Sequence, residues 1–217
     1  MSQTATLDAS SLSSYNSMAR FGMIIFLASE AMLFAGLIAA YMILGAPQML
    51  AGNWPPAVPE GELPKLPILM TTINTVLLVL SSGTYHFAEV FIKKNRVGLC
   101  NLWLLISIVL GSTFLCVQAH EWYELKHEGL WFGTGGVYGS NFFILTGFHG
   151  LHVFVGVLLL TYSLLRGLLG HFSADNHVFM ENAGLYWHFV DVVWILVYLI
   201  IYIIPFVVLP HFIKPMM

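Results

Sequence analysis

Five stretches of the chain, at about Phe21–Leu44, Leu66–Ile92, Leu99–Leu125, Tyr138–Leu169 and Ala183–Leu209, are apolar over lengths that span a bilayer, which takes about 20 helical residues. No other feature constrains the fold so tightly. Charged residues make up 9% of the 217 positions and hydrophobic ones 58%, whereas soluble domains are roughly a quarter charged. A soluble fold of this composition has too little polar surface to cover its own core, so lipid must be the solvent. The runs lack the alternating in–out pattern of membrane strands. The expected fold is therefore an all-α membrane protein, a bundle of five transmembrane helices in one domain at residues 20–217. The fourth helix is longer than needed and should tilt or project. A Ser-rich polar stretch at 1–19, without a basic n-region or a short apolar core, reads as a flexible tail and not a signal peptide.

The connections differ in kind. Gly45–Lys65 holds Pro47, Trp54-Pro55-Pro56, Pro59 and Pro64, and so many prolines argue for a non-helical loop at the interface. Lys93-Lys94-Asn95-Arg96 is a tight basic turn, and Lys126–Val137 is Gly-rich. Gly170–Asn182 carries His171, Asp175, His177 and Glu181. With the N-terminus in the cytoplasm, Arg20, Lys93, Lys94, Arg96 and Arg166 lie inside and Lys65, Lys126 and Lys214 outside, an excess on the side the positive-inside rule favours. The C-terminus is then periplasmic. A net charge of −3 leaves no electrostatic footprint for nucleic acid. Cys100 and Cys116 sit sixteen residues apart on one predicted helix, about 24 Å along its axis, too far for a disulfide. They read as packing residues.

Ionisable groups inside a membrane are costly and need an explanation. Glu30 and His149 fall near the midplane of helices one and four. His188 and Asp191 share a face of helix five. His86 and Glu89 lie at the inner end of helix two, and His120, Glu121 and Glu124 at the outer end of helix three. Glu89 and the acids near Glu124 read as solvated helix ends, and Trp54, Trp122, Trp131 and Trp187 as interface anchors. His149 and His152 form an H-x-x-H pair; alone it is a weak signal for a metal or haem site, and histidines bonding neighbouring helices is the plainer reading. Glu30 could carry a transported proton or be a protonated, hydrogen-bonded structural acid. Ala31, Ala35 and Ala39 recur every four positions and offer a close-packing seam. From these residues three readings stand: a non-catalytic subunit, a membrane metalloenzyme or b-type cytochrome using His149, His152 and His188, and a small transporter built on Glu30.

Several motifs in one order resemble cytochrome c oxidase subunit III. They are Arg20-Phe21-Gly22-Met23 with Ser29-Glu30 and Phe34; Trp54-Pro55-Pro56; Asn74-Thr75 with Leu77-Leu78 and Ser81-Ser82; and Gln118, Glu121, Tyr123 and Glu124. The fullest similarity runs through Gly136-Val137-Tyr138-Gly139-Ser140, Thr146-Gly147-Phe148-His149-Gly150-Leu151-His152-Val153 and Tyr186-Trp187-His188-Phe189-Val190-Asp191-Val192-Val193-Trp194, into Tyr198 and Tyr202. The likeness is to the five-helix bacterial form, which lacks two N-terminal helices of the mitochondrial one. The resemblance implies a chain with no redox centre, catalytic residue or metal of its own. Haem and copper would belong to partner subunits of a proton-pumping oxidase in the bacterial plasma membrane. Subunit I would be the main contact, with subunit II, a small subunit IV and a respiratory supercomplex as further partners. It also implies bound phospholipid and support of proton uptake. Glu30 would be the family's buried helix-one acid and Arg166 a lipid-phosphate contact. His149, His152, His188 and Asp191 would be buried structural or proton-related groups. His171, Asp175 and His177 would form a proton-collecting surface.

Overall fold

The computed structural model of the protein describes residues 9–50, 67–174 and 176–208. Its elements are α1 (Ala9–Leu50), α2 (Ile68–Lys93), α3 (Val97–His127), α4 (Gly136–Leu168) and α5 (Val178–Tyr198), and α5 runs on as wider, π-type turns over Leu199–Val208. All five helices are long and apolar enough to cross a membrane, so the chain is a multi-pass membrane protein.

A strict 3–4 spacing organises the core. The buried residues of α2 are Thr71, Asn74, Leu78, Ser81, Tyr85, Ala88 and Ile92. Those of α3 are Cys100, Leu104, Ser107, Gly111, Phe114, Gln118, Glu121 and Leu125, and α4 repeats the pattern from Phe142 through Thr146, His149, Val153, Gly156, Leu160 and Ser163 to Gly167. A 3.5-residue period keeps one stripe facing a neighbour along a left-handed supercoil. Small residues on these stripes let large ones in. A Cβ on Gly111 would come 2.7 Å from the Trp187 ring, and one on Gly156 2.5 Å, so the indole of α5 fills the space that two glycines leave on α3 and α4. Its Nε1 donates to Ser81 Oγ at 3.1 Å. Trp187 is thus a fully buried core residue and not an interface anchor. Trp122 and Trp131 are partly buried against the core, and Trp54 lies outside the described residues.

Three helices end in the same way. Asn95, Gly129 and Gly170 take positive φ, and each is followed by an N–H that reaches back five residues: Arg96 to Phe91 O, Leu130 to Leu125 O and His171 to Arg166 O. This is the Schellman stop, which satisfies carbonyls a helix end would otherwise orphan. It explains why the basic turn can be so short.

α1 departs from expectation at both ends. Residues 9–19, expected to be a tail, form its first turns, and the helix passes Leu44 to include Pro47. A single proline in the final turn removes one ladder bond, which a helix end tolerates. Pro55, Pro56, Pro59 and Pro64 lie outside the described residues. α1 is also the least enclosed element: 6% of its spanning window is buried, against 44% for α4 and α5. Ala31, Ala35 and Ala39 are exposed, so this small-residue stripe is not used for packing within the chain. Cys100 packs against Met180, Sγ to Sδ 3.7 Å, while Cys116 is exposed.

Candidate functional site

The polar groups of the bundle gather at several heights. At mid-height, Glu30 of α1 meets His152 of α4, Oε2 to Nε2 3.0 Å. The other ring nitrogen, Nδ1, lies 2.6 Å from the Phe148 carbonyl oxygen. A carbonyl only accepts, so Nδ1 carries a hydrogen. Nε2 and the carboxyl therefore share one further proton: either a neutral acid donates to a neutral imidazole, or an imidazolium donates to a carboxylate. The pair has no net charge either way, which makes it tolerable in lipid. Phe34 packs edge-on against the His152 ring, centroids 5.0 Å apart, and Tyr186 donates its hydroxyl to the His152 carbonyl at 3.1 Å. One pair thus ties α1, α4 and α5.

His149, one turn away, does not join it. Its ring stacks on Trp194 at 4.6 Å and meets the edge of Phe114 at 5.8 Å. The two histidines of H-x-x-H serve different neighbours, and among the described residues no three of His, Cys, Asp and Glu gather to hold a metal ion. His188 and Asp191 do share a face: His188 Nδ1 bonds Ser82 Oγ at 2.5 Å, and Asp191, 5% exposed, lies beside the same serine.

At one end of the bundle sits Glu121, which is 1% exposed and no solvated helix end. Tyr202 donates to its Oε1 at 2.7 Å, and the Thr71 hydroxyl lies 3.4 Å from the same oxygen. Tyr41 of α1 and Tyr138 of α4 stand within electrostatic reach of Tyr202, so every helix contributes to this corner. Glu124 is the exposed acid, paired with His120 Nε2 at 3.2 Å.

At the other end Glu181 of α5 plays the matching part. Arg20 of α1 donates to its Oε2, while Lys93 Nζ of α2 and His177 Nε2 approach its Oε1 at 3.5 and 3.4 Å. Glu89 is likewise drawn inward, to within close contact of the Gly184 backbone; its side chain is 16% exposed, so it too is no solvated end. His177 is thus held by Glu181, His171 is exposed, and Asp175 lies outside the described residues. Arg166 sits among rings, its guanidinium carbon 5.2 Å from the Phe172 centroid, 5.9 Å from Phe179 and 6.0 Å from Tyr162. That trough orients a planar fork able to grip an anionic oxygen pair.

Sequence reasoning missed Glu121 and Glu181 as organising residues. The usable signal was position: Glu121 continues the 3–4 stripe from Gln118, and Glu181 falls in the first turn of α5 opposite the basic turn.

The sequence profile of the family described as Cytochrome c oxidase subunit III matches residues 1–205. The cytochrome c oxidase subunit 3 of Thermostichus vulcanus is 39% identical over 184 residues, covering 84% of this chain and 86% of that protein. That of Synechocystis sp. is 38% identical, over 85% of this chain and 75% of its own length. The human protein is 40% identical over 185 residues, 84% of this chain and 68% of its own. Matches of this extent show that the chain belongs to the cytochrome c oxidase subunit III family.

Proposed function

We propose that this chain serves as subunit III of a haem–copper terminal oxidase, bearing no redox centre itself and working as a structural and lipid-binding partner of subunit I. The observation that carries this is where its acids go. Glu30, Glu121 and Glu181 are each engaged by side chains of other helices of the same chain, leaving an interior riveted together, with an apolar exterior to meet lipid and neighbours. The N-terminus would face the cytoplasm of a bacterial plasma membrane, since Arg20, Lys93 and Glu181 meet at one end beside the basic turn. The membrane domain would begin near residue 20. Subunit II, a small subunit IV and a supercomplex would be secondary contacts. Exposed His171, with Asp175 and His177, would lie on the proton-uptake side. Of the two histidines, His177 is engaged with Glu181, whereas His171 is exposed.

Affinity purification of the tagged chain from its native membranes tests the proposal. A larger haem-containing chain should co-purify, and this chain, once separated, should retain substoichiometric haem. Stoichiometric haem or copper on the separated chain would overturn it. Arg166→Ala should lower the phospholipid count per purified complex, measured by mass spectrometry, and shorten its working life during turnover. Arg166→Lys should fall between, keeping the charge and losing the fork. An unchanged lipid count in Arg166→Ala would remove the assigned role.

A further inference from the structure

We infer that the bundle encloses a water-binding chamber walled by Asn74 of α2, Gln118 of α3 and His149 of α4, on the side nearer Glu121. Register places the three residues at one level. Gly111 and Gly156 both abut Trp187, so α3 and α4 cross there as antiparallel neighbours. Seven residues on from Gly111 is Gln118, and seven back from Gly156 is His149, each on its buried stripe. The ring of Phe114, one turn before Gln118, meets His149, and Asn74 Nδ2 donates to the Phe114 carbonyl at 3.2 Å. Thr71 reaching Glu121 fixes the α2–α3 register one turn further along.

At this level polar atoms accumulate without partners. Asn74 Oδ1, both amide atoms of Gln118 and both ring nitrogens of His149 are buried and unbonded, in residues that are 1%, 5% and 0% exposed. Asn74 cannot turn its amide round, because Nδ2 is held by a backbone carbonyl. Its Oδ1 can only accept. A neutral imidazole supplies one donor and one acceptor, and Gln118 supplies both kinds. None of these atoms is within bonding distance of another, so what joins them must both donate and accept in a small space. Water does both, and buried waters characteristically serve such groups with about three bonds each. Glu121 is the next residue of the α3 stripe after Gln118, so the chamber adjoins the buried carboxyl and gives it an internal hydrated neighbour.

Water-edited solid-state NMR on the protein in its native complex, with histidine labelled at both ring nitrogens, tests the chamber. Magnetisation from water should build up on the His149 nitrogens although the ring is fully buried, with the signal assigned by its loss in His149→Phe. Gln118→Leu, a swap within the same stripe, should sharply slow that build-up while helical circular dichroism is kept. Absence of transfer in the unaltered protein, or a ring nitrogen bonded directly to the Gln118 amide, would overturn the inference whether or not the variants fold.

Discussion

Gly156→Leu is expected to abolish recovery of the folded chain, because the space its side chain needs is already occupied by the indole of Trp187. Even the Cβ of alanine would lie 2.5 Å from Trp187 Cε3 and 2.6 Å from Cζ3, closer than non-bonded carbons tolerate. The ring cannot swing aside. Gly111 stands against the adjoining ring atoms, with a Cβ distance of 2.7 Å to Cη2, and the Ser81 hydroxyl holds its N–H. Overpacking of this kind costs about 1–3 kcal/mol for small increments, so Gly156→Ala should already lower the yield of intact complex after graded heating. Trp187→Phe should be mildly destabilising by itself, through the lost Ser81 bond. Combined with Gly156→Ala it should restore part of the loss, with a coupling of about 0.5–3 kcal/mol, as expected for residues in contact. If Gly156→Ala heats like the unaltered protein, the close fit of indole to glycine is wrong.

The second large effect is expected at Glu30. With Nδ1 of His152 committed to the Phe148 carbonyl, Nε2 has Glu30 as its partner, and Glu30→Leu would leave a half-buried imidazole nitrogen facing hydrocarbon. Losing a partner in this way costs about 1–3 kcal/mol. Glu30→Gln should assemble normally, since an amide N–H donates to a neutral imidazole as a protonated acid does. The readout is the amount of this chain retained in purified, heat-challenged complex. The order expected is unaltered protein and Gln together, Leu below them, and Leu combined with His152→Phe recovering part of the deficit because no orphaned nitrogen remains. A Gln variant as damaged as the Leu variant would point to an imidazolium–carboxylate pair instead of a neutral acid.

Helix count and approximate spans were legible because apolar run length is a one-dimensional property. Five segments were expected and five are seen among the described residues, though α1 overran its expected bounds by taking in Ala9–Ala19 and Pro47. Helix termination depends on which carbonyls are recaptured, and that requires the geometry at Asn95, Gly129 and Gly170. Side-chain pairing was less legible. Glu30 and His152 each stood out as polar residues in apolar runs, but their 122-residue separation hid the bond between them. Glu121 and Glu181 were hidden by their position near helix ends, where an acid usually finds water. Burial there is imposed by neighbours, Tyr202 in one case and Arg20, Lys93 and His177 in the other. Trp187 was misplaced for a similar reason: a tryptophan near a segment's end suits the headgroup belt, and only the glycines on two other helices turn it inward.

The sparse enclosure of α1 bears on how the protein is made. A nascent chain delivers this helix to the lipid while α4, which holds His152, has yet to be synthesised, so Glu30 must wait through more than a hundred further residues without its imidazole. A carboxylate stranded at that depth is penalised by about 2.5–3.5 kcal/mol on insertion scales, enough to expel a weaker segment. The run from Phe21 to Leu44 is apolar enough to remain inserted regardless. Its surplus hydrophobicity can thus be understood as ballast for biogenesis, needed before any tertiary contact exists.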